Sequence, residues 1–140
     1  MIGNLAEYFK PNYEIFLDKI KYNRIETANA FIKKEIFLTC QDNINAGLSE
    51  NEIRIILSRT LVFNPEGIFS LTVSFGATLS FSDKKDEYDW SKINIAEEFK
   101  ENGDFIIAQL MSRISLLIGQ ITSSYGQQPL ILPPNIGNKF

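Results

Sequence analysis

The sequence of 140 residues contains no histidine and a single cysteine. Histidine is the commonest general base and a frequent metal ligand, so its absence removes the usual catalytic and metal-binding arrangements. One cysteine, Cys40, can form neither an internal disulfide nor a thiolate metal site, which is typical of a reducing compartment. We therefore expect a cytoplasmic protein that is not an enzyme, with no catalytic residue, no metal and no cofactor.

An excess of positive charge is also lacking. Fourteen Lys and Arg against seventeen Asp and Glu give a formal net charge of −3, so the chain has no general attraction for a phosphate backbone. No phosphate-binding G-x-x-x-x-G-K-[ST] motif and no glycine-rich dinucleotide motif occurs. The first ten residues include Glu7 and Lys10 before any apolar run develops, which does not fit a secretory signal. Nucleic acids and nucleotides are thus disfavoured as partners.

No apolar run is long enough to predict a membrane span. The strongest one, residues 105–121, is slightly short for the roughly 20 residues that a bilayer core requires. It also contains Gln109, Ser112 and Arg113, and an arginine at the centre of a span costs roughly 2.5–3.5 kcal/mol on insertion scales. The run therefore predicts a buried helix of a soluble protein, without membrane insertion.

Strict alternation of apolar and hydroxyl residues predicts a long strand over 67–82. Fully extended, it would span about 50 Å, so we expect a bend or bulge at Gly76. Residues 51–63 alternate in the same way, except that Arg59 interrupts the apolar face. The connection, 64–67 (NPEG), has the pattern of a type I turn. The two strands are therefore expected to form an antiparallel hairpin.

Two earlier strands are less clear. Residues 30–41 alternate and predict a strand, followed by a loop over 42–50. Residues 14–26 are ambiguous, because their apolar residues fit a helical stripe slightly better than an alternation.

The connection 82–92 is charged and contains two aromatic residues, Tyr88 and Trp90. It reads either as a solvated loop or as the rim of an apolar binding groove.

The C-terminal half predicts two helices, over 95–102 and 104–125. Asn94 is a good N-cap for the first helix, Gly103 separates the two, and Asp104 is expected to cap the second. The second helix is apolar on more than one side, so one sheet cannot cover it. We expect its remaining face to meet the same helix of another subunit across a two-fold axis. The predicted interface consists of Ile107, Met111, Ile114, Ile118 and Tyr125.

Three segments carry a resemblance to a known family: residues 66–70 (EGIFS), 128–136 (QPLILPPNI) and 16–22 (FLDKIKY). They resemble the Gly-Ile-Phe segment, the proline-rich signature after the long helix and the first strand of the SecB-type export chaperones. The resemblance implies a single SecB-like α+β domain over 1–140. Its four-stranded antiparallel sheet would carry a short and a long C-terminal helix on one face, followed by a proline-rich tail at 127–140. It also makes 14–26 a strand and implies a homotetramer built as a dimer of dimers.

The resemblance implies an ATP-independent holding chaperone for unfolded or nascent polypeptides, acting in protein transport and docking to the motor ATPase of the export translocase. An alternative is an adaptor for one specific partner in a toxin–antitoxin or phage setting. A third hypothesis is a small-molecule carrier or enzyme with a cavity between sheet and helix. Aromatic side chains suit a groove for apolar client segments. The expected client-binding residues are Tyr22, Phe31, Phe37, Tyr88 and Trp90.

Overall fold

The computed structural model describes residues 2–24, 37–64 and 69–124. Four strands form one antiparallel sheet in the order β1-β4-β3-β2, and two helices follow. This confirms the predicted α+β architecture. The strands are β1 Glu14–Arg24, β2 Phe37–Leu48, β3 Glu52–Asn64 and β4 Phe69–Ser80; the helices are α1 Ile95–Asn102 and α2 Asp104–Ser123. Short 3-10 turns lie at Leu5–Tyr8, Lys85–Glu87 and Trp90–Lys92.

The β3–β4 hairpin is the centre of the sheet, and its pairing is regular from Glu52–Ser80 to Leu61–Leu71. Alternate side chains of both strands point to the helices and are buried; we call this side the core face. On the other side, the open face, hydroxyl groups bond in pairs across the two strands. The Oγ atoms of Ser58 and Ser74 are 2.7 Å apart. The predicted turn between these strands falls largely outside the described residues.

The expected bend at Gly76 is wrong, because the irregularity lies in the neighbouring strand. β1 pairs Leu17 with Phe75 but Lys19 with Ser74, so the register shifts at this point of β1. Gly76 instead allows a close approach on the open face. A Cβ atom there would lie 2.6 Å from a ring carbon of Phe16. The missing side chain therefore makes room for an aromatic ring and does not bend β4.

Strand β2 extends further than predicted. The expected loop over 42–50 is wrong for residues 42–48, since β2 pairs with β3 without interruption from Phe37 to Leu48. Its asparagines, aspartate and glycine have low strand propensity, but pairing and packing override such preferences. Residues 30–36 of the predicted strand lie outside the described part. β1 is a strand, as the family resemblance implies and against its helical periodicity.

The two helices meet at Gly103, which follows the end of α1 and precedes the start of α2. The side chain of Asn94 accepts a hydrogen bond from the backbone N–H of Glu97, which caps α1 as expected. Gly103 follows α1, and a Cβ atom there would lie 2.8 Å from the Cα atom of Phe99. Asp104 is the first residue of α2 and not its cap, contrary to the prediction. The close packing at Gly103 leaves no room for a side chain at this junction.

Helix α2 is long and apolar enough to cross a membrane by length and composition alone. Its apolar side nevertheless packs against β3 and β4. Several side chains at this contact have no accessible surface, so no water-sized cavity touches them. They include Leu57, Leu61, Val73, Leu110, Ile114 and Ile118. This filled layer is that of a core helix and argues against a carrier with a cavity between sheet and helix.

The prediction that α2 needs a second subunit to cover its apolar side chains is wrong for four of the five residues. The chain itself buries them: Ile107, Met111, Ile114 and Ile118. The second flank is covered by α1 and by the N-terminal segment, whose Phe9 ring stacks on Phe105 at 6.4 Å. The fifth, Tyr125, lies outside the described residues. The large apolar side chain that α2 does expose is Leu116, which is 64% accessible.

Candidate functional site

An open groove runs between the edge strand β2 and the segment that leads from the sheet to α1. One part has a volume of about 420 Å³ and is lined by Ile44, Asn45, Ala46, Leu48, Trp90, Ser91, Ile93, Asn94, Ile95 and Ala96. A second part, of about 560 Å³, shares Leu48, Trp90 and Ser91 and is completed by Ser49, Glu50, Lys85, Asp86, Tyr88 and Asp89. Because the two parts share residues, they form one continuous surface, which we call the β2 groove.

Two large apolar side chains in the β2 groove are exposed. Leu48, at the end of β2, is 42% accessible, and Tyr88 is 40% accessible. Trp90, which lines both parts of the groove, is only 4% accessible. Contact between such apolar side chains and water is unfavourable. An exposed apolar surface that is rimmed by polar groups is therefore typical of an interaction site. The groove therefore offers apolar contacts to a partner on a surface that is already formed.

The floor of the groove is rigid because Trp90 is held on several sides. Its ring lies 5.1 Å from that of Phe81 and 5.7 Å from that of Tyr8, and its indole N–H donates to the carbonyl oxygen of Lys85 at 2.8 Å. Phe9 adds a further ring contact at 5.8 Å. Aromatic pairs at these distances stabilise the fold by more than the burial of their apolar area alone. We call this group of rings the aromatic cluster.

The N-terminal segment ties the groove wall to the rest of the chain. The hydroxyl of Tyr8 donates to a carboxylate oxygen of Glu87 at 2.9 Å, and the N–H of Ser82 donates to the carbonyl of Tyr8 at 2.8 Å. Burial and the hydrogen bond to Glu87 raise the pKa of Tyr8 above its ordinary value. Tyr8 therefore stays neutral at physiological pH and keeps donating this bond.

The rim of the groove is mainly acidic. Among its lining residues, Glu50, Asp86 and Asp89 are carboxylates, and Lys85 is the only cation. Lys85 is occupied, because its ammonium donates to the carbonyl oxygen of Glu50. Asp89 is fixed by the hydroxyl of Ser91 at 2.6 Å. This charge pattern favours apolar segments flanked by basic residues.

The predicted client-binding residues do not form one site. Tyr88 lies on the groove, but the client role expected for Trp90 is wrong, because its ring is buried in the aromatic cluster. Tyr22 lies on β1, at the opposite edge of the sheet, 5.5 Å from the ring of Phe69. Phe31 lies outside the described residues, and Phe37 begins β2, far from its groove end.

Sequence reasoning missed Ile44 and Leu48, because they were assigned to a loop. The alternation of Ile44, Ala46 and Leu48 is the signal that could have identified this part of β2 as a strand. Ile93 and Ala96 were missed because the groove combines segments that are distant in the sequence. No local pattern marks such a surface.

A second exposed apolar surface lies on the core face of β1. Leu17 pairs with Phe75 and Ile20 with Val73, so both point to the helix side of the sheet, and both remain exposed. Helix α2 packs chiefly on β4 and β3. We call Leu17, Ile20 and Tyr22 the β1 surface.

A buried ion pair crosses the core face between β2 and β3. Nε and the second terminal nitrogen of Arg59 donate to the two carboxylate oxygens of Asp42 at 2.7 and 2.8 Å, and both side chains are buried. The hydrogen bond to Asp42 raises the pKa of Arg59.

Burial raises the pKa of the nearby thiol of Cys40, which lowers its nucleophilicity. In the described ranges no three His, Cys, Asp or Glu side chains gather as metal ligands.

Comparison with known proteins identifies the fold. No family model matches the sequence, and no curated protein matches it. Among solved structures, the chain is similar to a SecB-like chaperone of Mycobacterium tuberculosis, which was solved in complex with a peptide from an antitoxin. The TM-score is 0.67 at 13% identity, over 92% of this chain and 91% of that one. The fold is therefore SecB-like, as the resemblance in the sequence implied.

Proposed function

We propose that the protein is an ATP-independent holding chaperone, without enzymatic activity, that binds extended segments of unfolded polypeptides in the β2 groove. The observation that carries this proposal is the pair of exposed apolar side chains, Leu48 and Tyr88, on a preformed groove. The similar mycobacterial protein is a chaperone solved with a bound peptide. That likeness in fold supports the same class of ligand here.

The groove is suited to weak and repeated binding. Burying one leucine or aromatic side chain contributes roughly 1.5–3 kcal/mol, and ordering the bound segment offsets part of this gain. Because the groove is open, a client can also leave quickly. Several grooves on one oligomer then raise the overall affinity for a long unfolded chain. Such a protein delays folding or aggregation of its clients and needs no nucleotide.

Charged substitutions in the groove test this function. We expect Leu48→Lys and Tyr88→Lys each to weaken binding of a permanently unfolded, reduced and alkylated protein by at least about tenfold, since roughly 1.4 kcal/mol is lost. Fluorescence anisotropy of the labelled unfolded protein measures this. Gln120→Lys, on the exposed face of α2, is the matched control and should bind like the wild type. Equal binding by all three variants would contradict the proposal.

A second candidate function is that of an adaptor for one specific partner. It is favoured by the similar structure, which holds a peptide from an antitoxin. Affinities for several unrelated unfolded proteins distinguish the two functions: similar values indicate a chaperone, and tight binding of one partner alone indicates an adaptor. A role in protein export, docking to the translocase motor ATPase and a cytoplasmic location stay predictions.

The protein is also proposed to form a homo-oligomer, a dimer or tetramer, through the β1 surface. Leu17 and Ile20 lie on one face of β1 and are 51% and 45% accessible, and such neighbouring exposed apolar side chains are typical of an interface between chains. We expect light scattering to give a mass of at least two chains, and Leu17→Lys with Ile20→Lys to lower it. The double variant Ser112→Lys with Gln120→Lys, on the exposed face of α2, is the control. A monomeric wild type would contradict this expectation.

A further inference from the structure

The connection between β4 and α1 has little buried surface of its own where it forms the groove wall. Residues 83–89 are exposed, except for the half-buried Lys85, and their regular structure is one short 3-10 turn, Lys85–Glu87. A segment with so few buried side chains is ordered only as far as other parts of the chain hold it. The position of Tyr88 in this wall is therefore set by its neighbours and not by its own burial.

Two adjacent residues of the N-terminal segment, Glu7 and Tyr8, hold this connection at successive points. The hydroxyl of Ser82 donates to the carbonyl oxygen of Glu7 at 2.8 Å, and the ammonium of Lys84 donates to the carboxylate of Glu7 at 3.1 Å. The hydroxyl of Tyr8 then donates to the carboxylate of Glu87 at 2.9 Å. The hydrogen bonds thus follow the connection as far as the residue directly before Tyr88.

Tyr8 is a firm support because the core holds it in turn. Its side chain is only 7% accessible, and the next residue, Phe9, pairs with Phe81 just beyond the end of β4. Ile2 and Leu5 of the same segment are buried as well. Detaching the segment would return all four of its large apolar side chains to water, which is strongly unfavourable. The N-terminal segment is therefore a permanent part of the fold.

Tyr8 also contacts Tyr88 directly. The two rings are 5.4 Å apart and meet edge to face, at 67°. We infer that Tyr8 is a positioning residue for client binding, whose ring and hydroxyl hold Tyr88 in place at the groove; this inference rests on the proposed function. Tyr8 is not among the described residues that line the groove, so it acts through Tyr88. A side chain that is already ordered binds more tightly than one that must be ordered on binding.

Tyr8→Phe tests this role because it keeps the buried ring and removes the hydrogen bond to Glu87. We expect it to weaken binding of the reduced and alkylated unfolded protein about three- to tenfold. Amide exchange of residues 86–89 should become at least about tenfold faster, since this part of the wall is then held less firmly. Fluorescence anisotropy and hydrogen exchange measure the two effects.

Matched variants distinguish positioning from a general loss of stability. Glu87→Ala removes the acceptor and should reproduce the effect of Tyr8→Phe, whereas Glu87→Gln keeps a side-chain carbonyl and should recover most of the lost affinity. Leu5→Ala, at a buried site of the same segment, is the stability control. It should lower the midpoint of thermal unfolding more than Tyr8→Phe does and leave client affinity unchanged at temperatures where the protein is folded.

The double variant Tyr8→Phe with Tyr88→Ala shows whether Tyr8 acts through Tyr88. Once the Tyr88 ring is gone, Tyr8→Phe should weaken binding no further. An equal loss with and without that ring would overturn the inference. So would a Tyr8→Phe variant that binds like the wild type while Tyr88→Lys binds weakly, and in that case the proposed function stands. If neither Leu48→Lys nor Tyr88→Lys weakens binding, the proposed function fails and the inference fails with it.

Discussion

Replacing Arg59 with leucine is expected to lower the free energy of unfolding by about 3–5 kcal/mol. The guanidinium makes two short hydrogen bonds to Asp42, and both side chains are inaccessible to water. Removing Arg59 alone leaves a buried carboxylate without its main partner, and desolvation of an unpaired charge is costly. Urea denaturation followed by the fluorescence of the single tryptophan measures the change.

Two matched variants show whether the cost comes from the unpaired charge. In the double variant Arg59→Leu with Asp42→Leu, both charges are gone, so stability should return to near the wild-type value. Lys84→Ala breaks the exposed ion pair with Glu7 and should change stability by less than about 1 kcal/mol. A double variant as unstable as Arg59→Leu would show that packing around Arg59, and not charge pairing, determines the effect.

Trp90→Ala is expected to be comparably destabilising, by about 3–5 kcal/mol, because it removes the centre of the aromatic cluster. The ring contacts Tyr8, Phe9 and Phe81, and these rings join the N-terminal segment to the end of the sheet. The cavity left by alanine cannot close without moving several elements. Thermal unfolding followed by far-ultraviolet circular dichroism measures this, since the tryptophan signal is lost.

Two further variants separate the contribution of Trp90 to stability from the contribution of Tyr88 to client binding. Trp90→Phe keeps an aromatic ring but loses the bond to the carbonyl of Lys85, so its cost should be smaller than that of alanine. Tyr88 contacts the rings of Tyr8 at 5.4 Å and Trp90 at 6.1 Å but is 40% accessible, so Tyr88→Ala should cost less stability than Trp90→Ala and should weaken client binding. A stable Trp90→Ala variant with impaired binding would contradict this division and restore Trp90 as a client-contacting residue.

The parts of the fold that sequence predicted correctly depend on strong local patterns. β3 and β4 were identifiable because apolar and hydroxyl residues alternate strictly along both, and α1 because Asn94 provides a side-chain cap. β2 was truncated because Asp42 and its neighbouring asparagines resemble a loop. The signal was present in Arg59: an arginine on a buried face requires an acidic partner, and Asp42 lies directly opposite in the register.

The candidate site was predictable only in part, for a physical reason. Tyr88 was identified because two aromatic residues, Tyr88 and Trp90, stand in a charged connection. Only the exposed side chain of the two, that of Tyr88, can contact a client directly. Trp90 is covered by rings from residues 8, 9 and 81, and no local pattern places them around it. The apolar flank of α2 was misassigned in the same way, since the N-terminal segment that helps to cover it is distant in the sequence.

The contacts of the N-terminal segment determine when the chain can finish folding during its synthesis at the ribosome. Ile2 donates its backbone N–H to Glu98, Phe9 packs on Phe99 and Phe105, and β1 pairs with the last strand of the sheet. The N-terminal segment thus contacts residues that lie 96 positions later in the sequence, and closing so long a loop is slow. Until α2 begins to leave the exit tunnel, the emerging chain exposes the apolar face of its own sheet and is itself in need of protection from aggregation.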